Sequence, residues 1–132
     1  KGHIPEGDGI LLGLLLLEVV AKSGKTLGQL VDDLHADVGP AHYARTDLHL
    51  RRTVNKAEMT ARLRDDAPKQ IAGLKVAEVS TTDGVKYIME DESWLLIRPS
   101  GTEPVLRVYA EGRTDEINQG LLGYGEEIAH SV

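Results

Sequence analysis

The sequence contains no cysteine and no phenylalanine, and it has a single tryptophan. The absence of cysteine excludes disulfide bonds and a thiol nucleophile, and it favours a cytoplasmic protein. Because phenylalanine is missing, a core must be built mainly from Leu, Val, Ile and Ala. The five histidines are scattered without the spacing of a metal site, and no carboxylate pair stands out as a general acid and base. We therefore expect neither metal ligands nor catalytic residues in this chain.

Positive charge is also scarce. Fifteen Lys and Arg residues stand against 21 Asp and Glu residues, which gives a formal net charge of −6. Such an acidic balance argues against a nucleic-acid partner. The apolar run from Ile10 to Ala21 is too short to span a bilayer and is interrupted by Gly13 and Glu18. We therefore expect no membrane partner.

The first third of the chain predicts two helices. Asp8 is placed to cap a helix over residues 10–22 that Gly24 would end, and Thr26 is placed to cap a second helix. Leu and Val occupy nearly every side of the first helix, which predicts burial on more than one face. Two helices cannot bury so many leucines between themselves, so we expect them to pack on a sheet that this chain does not contain.

After a predicted domain boundary near 39–42, the pattern changes to strand, helix, hairpin, hairpin and helix. The Asp83-Gly84 pair is the strongest short hairpin signal. This order predicts an α+β domain with helices on one face of an antiparallel sheet. The predicted strands and helices cover residues 43–52, 55–67, 74–82, 85–90, 94–98, 105–110 and 114–128.

The second predicted hairpin carries the candidate site. We expect Arg98 to lie opposite Val105, Leu96 opposite Arg107, and Trp94 opposite Tyr109. Arg98 and Arg107 would then be diagonal neighbours on one face of the sheet. The opposite, core-facing side would carry Leu95, Ile97, Leu106, Val108 and Ala110.

The loop between these strands predicts an anion site. Ser100 and Thr102 supply hydroxyl donors, and Gly101 permits a backbone turn in which successive N–H groups point inward. Two neighbouring guanidinium groups repel each other unless an anion lies between them, and their planar forks suit phosphate oxygens. The alternative is an ordinary tight loop without a ligand, in which Arg98 pairs with Glu103.

The segment Arg-Pro-Ser-Gly-Thr-Glu-Pro at 98–104, followed by Leu-Arg-Val-Tyr at 106–109, resembles the phosphate-binding loop in the last domain of the α-D-phosphohexomutases. The run at 2–10, which continues into the leucines and glutamate at 14–18, is similar to the end of the third domain of that family. The resemblance implies that residues 1–39 are a helical remnant of the third, α/β domain. Residues 43–132 would be the fourth domain, with a four-stranded antiparallel sheet of the TATA-binding-protein type.

These isomerases move a phosphoryl group between the 1- and 6-positions of a hexose phosphate through a bisphosphate intermediate. The family's phosphoserine, Mg²⁺ loop and sugar loop have no counterpart in this sequence. The resemblance therefore implies that Mg²⁺ belongs to the full-length enzyme and that no cofactor binds this part. The chain begins at Lys1, and we expect it to be an inactive part of a longer protein. The sequence does not distinguish glucose, mannose and glucosamine phosphates.

The resemblance assigns roles to particular residues. Arg98 and Arg107 would donate guanidinium hydrogen bonds to the phosphate that is not transferred. Ser100 and Thr102 would add hydroxyl and backbone donors, Gly101 would allow close backbone approach, and Glu103 would be an accessory residue. His3 would lie near the sugar in an intact enzyme, although an exposed terminal histidine is the simpler interpretation.

Two alternatives remain open on the sequence alone. Besides the phosphohexomutase fragment, one alternative is a free-standing binding module for sugar phosphates, and the other is an interaction domain whose leucine-rich helices dock a partner. The same leucines predict self-association through residues 10–34.

Overall fold

The computed structural model describes residues 7–51, 53–101 and 103–131. The chain divides into two compact units, Lys1–Pro40 and Ala41–Val132. The predicted residues Thr102 and His3 lie outside the described residues.

The first unit contains helices α1 (Gly9–Ser23) and α2 (Leu27–Val38). The Asp8 side chain accepts hydrogen bonds from two backbone N–H groups of the first turn of α1, and Gly24 ends that helix in the left-handed conformation at φ 66°. Thr26 and Gln29 form a reciprocal capping box at the start of α2. The helix boundaries predicted from these caps are confirmed to within one residue.

Neither helix of the first unit has a buried residue. Ile10, Leu14 and Leu17 of α1 are 81%, 60% and 66% exposed. Leu27, Leu34 and Val38 of α2 are also exposed. The large aliphatic side chains of this unit are therefore exposed, although their apolar character predicts burial.

The second unit is an antiparallel sheet with two helices. Its described elements are β1 (His42–His49), α3 (Lys56–Asp65), β2 (Gln70–Ile71), β3 (Leu74–Ser80), β4 (Val85–Met89), β5 (Trp94–Pro99), β6 (Val105–Gly112) and α4 (Asp115–His130). Within the described ranges the strand order is β1-β6-β5-β4-β3-β2. The predicted α+β class is confirmed.

The sheet has six strands among the described residues, whereas a four-stranded sheet was expected. At one edge, β1 pairs with β6 along all eight of its residues. At the other edge, the two-residue strand β2 pairs with β3. The extra strands therefore extend the sheet at both ends of the order and leave its class unchanged.

The core lies between one face of the sheet and the helices α3 and α4. The five residues predicted for the inner face of the β5–β6 hairpin are all fully buried. Helix α4 approaches the sheet closely at Gly125, where an added Cβ would lie 2.4 Å from Cγ1 of Val108. From the other helix, the backbone carbonyl of Leu63 accepts a hydrogen bond from the Tyr87 hydroxyl at 2.8 Å. Both helices are thus fixed against the same face.

The predicted register of the β5–β6 hairpin is wrong by two residues. Arg98 lies opposite Arg107, Leu96 opposite Tyr109, and Trp94 opposite Glu111. A shift of two residues keeps every side chain on its predicted face, because side chains alternate with a period of two. The face assignment is therefore confirmed, although the pairing is not.

The position of Pro99 explains the difference in register. Strand β5 continues through Pro99, which pairs with Leu106, and the Ser100 N–H donates to the Val105 carbonyl at 2.9 Å. Successive N–H groups of a strand point to opposite sides, so the position of Pro99 faces away from β6. On that side β4 begins only at Val85, opposite Ile97. No ladder partner there requires the N–H group that proline lacks, and proline is tolerated in the strand.

Candidate functional site

Two arginines lie directly opposite each other on the face of the sheet away from the core. Arg98 of β5 pairs with Arg107 of β6, which in turn pairs with Asp47 of β1. The two arginine side chains are 39% and 32% exposed. Like charges at directly opposed positions destabilise a sheet unless an opposite charge compensates for them. This cross-strand pair is closer than the diagonal arrangement that the sequence predicted.

Asp83 compensates the charge of Arg98. Its Oδ2 atom lies 2.8 Å from Nε of Arg98, and its Oδ1 atom accepts a hydrogen bond from Nζ of Lys56 at 3.0 Å. The Lys56 hydrogen bond and the nearby Arg98 guanidinium hold the pKa of the Asp83 carboxyl below its usual range. The predicted alternative partner of Arg98, Glu103, lies instead beside Arg107, with 3.7 Å between Oε2 and Nη2. The pairing of Arg98 with Glu103 is therefore wrong, and Asp83 takes that place.

Gly84 brings Asp83 to this position. Its φ of 94° is accessible chiefly to glycine, and an added Cβ would lie 2.5 Å from the Ile97 carbonyl oxygen. The turn between β3 and β4 can therefore approach the backbone of β5 closely. The Asp83-Gly84 pair forms a turn, as predicted, and it also supplies the carboxylate next to Arg98.

Arg107 is less completely neutralised than Arg98. Its Nε atom is buried, lies 3.9 Å from Oδ2 of Asp47, and has no hydrogen-bond partner in the described part of the chain. Asp47 is engaged by Arg45, whose Nε and Nη2 donate to the two carboxylate oxygens at 2.7 and 2.6 Å. These two bonds lower the pKa of Asp47. Arg107 therefore has two carboxylates nearby, Asp47 at 3.9 Å and Glu103 at 3.7 Å, and both contacts are longer than the one between Arg98 and Asp83.

An open pocket of about 220 Å³ lies beside the arginine pair. Its lining residues come from the start of α3, the end of β5, the following loop and β6: Lys56, Arg98, Pro99, Ser100, Gly101 and Arg107. Three cationic side chains and one hydroxyl therefore converge on one space. Such a surface attracts anions and can offer several charge-assisted hydrogen bonds to one group of oxygens.

The structure brings four of the predicted site residues to this pocket: Arg98, Ser100, Gly101 and Arg107. Glu103 lies next to Arg107, and its backbone N–H lies 3.3 Å from the Ser100 hydroxyl oxygen, which accepts. Lys56 and Asp83 were missed. In the sequence, Lys56 stands at a helix start and Asp83 in a tight turn. These local signals explain why each residue occurs there, but they do not indicate that the two side chains lie near the loop.

Among the described residues, no group of three or more His, Cys, Asp or Glu side chains is arranged to hold a metal ion. No helix in the described ranges is both long and apolar enough to cross a membrane.

The fold and the pocket define an α+β domain with a cationic hairpin loop. The family described as "Phosphoglucomutase/phosphomannomutase, C-terminal domain" matches residues 53–122. The family described as "Phosphoglucomutase/phosphomannomutase, alpha/beta/alpha domain III" matches residues 1–38. The chain therefore belongs to the phosphoglucomutase/phosphomannomutase family, as the resemblance predicted.

Individual relatives agree with this assignment. A phosphoglucomutase/phosphomannomutase of Thermococcus kodakarensis is 34% identical over 119 residues, which cover 89% of this chain and 23% of the relative. A phosphoglucosamine mutase of Methanococcus aeolicus is 37% identical over 118 residues, 89% of this chain and 24% of the relative. A protein named phosphopentomutase, also from T. kodakarensis, is 33% identical over the same shares. The chain thus spans about a quarter of the length of these relatives.

Proposed function

We propose that this chain is the part of a phosphohexomutase that binds the substrate phosphate that is not transferred. The whole enzyme would catalyse reversible intramolecular phosphoryl transfer between C1 and C6 of a hexose phosphate. The observation that carries the proposal is the direct opposition of Arg98 and Arg107 beside Ser100 and Gly101 at one pocket. A phosphate between the two guanidinium groups would relieve their repulsion and accept hydrogen bonds from both.

The arrangement around Arg98 suits this role. Its Nε atom is directed to Asp83, so the two Nη atoms form the edge that a phosphate would take. A guanidinium that is already held on one edge loses less freedom when a ligand binds its other edge. The site would therefore contribute orientation: it holds one end of the sugar phosphate so that the other end meets the reacting groups.

Mg²⁺ does not fit the described residues of this chain, since no group of three metal-ligating side chains lies together there. Under the proposal, the metal and the phosphoserine belong to other domains of the full-length enzyme, where the metal would neutralise charge on the transferring phosphoryl group. The residues described here would bind and orient the phosphate, and the isolated chain would be inactive as a mutase. The relatives are named for different sugars, glucosamine and pentose among them, so the proposed site is one for phosphate and not for a particular sugar.

Chemical-shift titration of the chain with glucose 6-phosphate tests the proposal. We expect the backbone amides of Ser100 and Gly101 to move with a Kd on the order of 1 mM, because a single phosphate site lacks the contacts to the sugar. Glucose without phosphate is the matched control and should leave these amides unchanged. Shifts confined to residues away from the pocket would contradict the proposal.

A further inference from the structure

Lys56 is a pocket residue that the family resemblance of the loop does not include. It is the first residue of α3 and lines the same pocket as Arg98, Ser100 and Arg107. Its ammonium group and the Arg98 guanidinium bind different oxygens of one carboxylate, Asp83. A single anionic side chain therefore bridges two cations at the pocket.

The charge that α3 brings to the pocket is the Lys56 side chain and not the helix terminus. The Asn55 side chain accepts hydrogen bonds from the backbone N–H groups of Ala57 and Glu58 at 3.0 and 3.3 Å. Two donors of the first turn are thus satisfied within the protein. An anion in the pocket would meet the ammonium group of Lys56.

The hydrogen bond to Asp83 leaves Lys56 able to bind a ligand. An ammonium group has three donors, and the contact with Oδ1 of Asp83 uses one of them. The same contact restricts the long side chain, which is 45% exposed, to positions near the pocket. Because the pKa of Asp83 is lowered, this tether stays charged at neutral pH. A ligand therefore meets an ammonium group that has already lost part of its freedom.

We propose that Lys56 is a third cationic contact for the phosphate monoester bound at this site, and that Asp83 positions both Lys56 and Arg98 for it. This inference rests on the phosphate-binding function proposed above. It adds a residue from α3 to a site otherwise built from the β5–β6 hairpin, so that the ligand would be held from two elements of the domain.

Binding of glucose 6-phosphate to the full chain and to three variants tests the inference. Lys56→Met removes the charge and keeps much of the side-chain length, and we expect its Kd to rise about fivefold, which corresponds to roughly 1 kcal/mol. Lys56→Arg keeps the charge and should bind within about twofold of the unchanged chain. Lys75→Met is the matched control, because Lys75 pairs with Glu90 and does not line the pocket.

The dependence of Kd on salt separates a direct charge contact from a structural role. Salt screens charge pairs, so added salt should raise the Kd of the unchanged chain. The rise should be smaller for Lys56→Met, which lacks one charge contact, and undiminished for Lys75→Met. Equal Kd values and equal salt dependence for Lys56→Met and the unchanged chain would overturn the inference and leave the proposed function standing. Equal losses in Lys56→Arg and Lys56→Met would also overturn it, because charge would not be what matters. If the unchanged chain fails to bind at Ser100 and Gly101, the proposed function itself fails.

Discussion

The two units of this chain differ in how far their apolar side chains are buried. In the second unit, residues such as Leu95, Ile97 and Leu121 are fully buried between the sheet and two helices. In the first unit, α1 has a comparable supply of leucines and buries none of them. One unit thus contains its own core, whereas the two helices of the other have the composition of core elements and no buried residue.

The largest effect should come from truncating one leucine in each unit. Leu95→Ala removes a fully buried side chain and should lower the free energy of unfolding of the second unit by about 2–5 kcal/mol. Leu14→Ala, at a position that is 60% exposed, should change it by less than about 0.5 kcal/mol. Denaturant unfolding monitored at Trp94 measures this quantity, because the single tryptophan lies in β5. Equal effects of the two changes would contradict the difference in burial between the two units.

Two glycines of α4 should respond with opposite signs. Gly125→Ala places a Cβ against the stiff and fully buried side chain of Val108, which should destabilise the domain by about 1–3 kcal/mol. Gly123→Ala meets no atom within 4 Å and should stabilise it by up to about 1 kcal/mol through helix propensity. The same fluorescence measurement distinguishes them. Two changes of the same sign would show that α4 does not pack on Val108 as described.

The exposed helices should make the chain self-associate, as predicted for residues 10–34. Each large aliphatic side chain that becomes buried at a contact gains roughly 1.5–3 kcal/mol. Sedimentation velocity at several concentrations should show a concentration-dependent mass that the double variant Leu14→Glu, Leu17→Glu abolishes. Ala36→Glu is the control, since it adds a charge at an exposed position of α2 without removing a large aliphatic side chain. A chain that stays monomeric at all concentrations would contradict self-association through these helices.

A smaller effect should appear at Asp83 in acid. A carboxyl group whose folded pKa is depressed stabilises the protein above its unfolded pKa, about 3.9, and this contribution is lost as the pH falls through the lower folded value. We therefore expect Asp83→Asn to reduce the loss of stability below about pH 4. Carboxyl ¹³C shifts should give Asp83 a pKa below the usual range, and Lys56→Met should move it upward. No response to Lys56→Met would mean that the two side chains are not paired in solution.

Local signals predicted much of the fold. The helix caps at Asp8, Thr26 and Thr114 are predictable because each cap side chain binds backbone N–H groups only two or three residues further on. The inner face of the β5–β6 hairpin follows from the alternation of side chains. The register could not be obtained in this way, because two registers that differ by two residues bury the same side chains. The observed register places Pro99 inside β5, where it is tolerated because β4 does not extend that far.

Four of the six residues that line the cationic pocket were predicted from the sequence, because they lie close together along the chain. The loop residues Ser100 and Gly101 lie next to one another, and the arginines occupy the strands that flank them. Lys56 reaches the pocket through the packing of α3, and Asp83 reaches Arg98 through the close approach at Gly84. Neither contact has a local signature in the sequence. Residues that arrive at a site from distant elements need the tertiary structure to be recognised.

The central claim is that Arg98 would bind phosphate through its planar fork, whereas Glu103, which lies beside Arg107, would be only an accessory residue. Its most direct test compares glucose 6-phosphate binding by Arg98→Lys and Glu103→Gln in the same chemical-shift titration. We expect Arg98→Lys to raise Kd about tenfold, because the fork is lost, and Glu103→Gln to change it by less than about threefold. Equal effects of the two substitutions, or tighter binding by Arg98→Lys, would contradict the account.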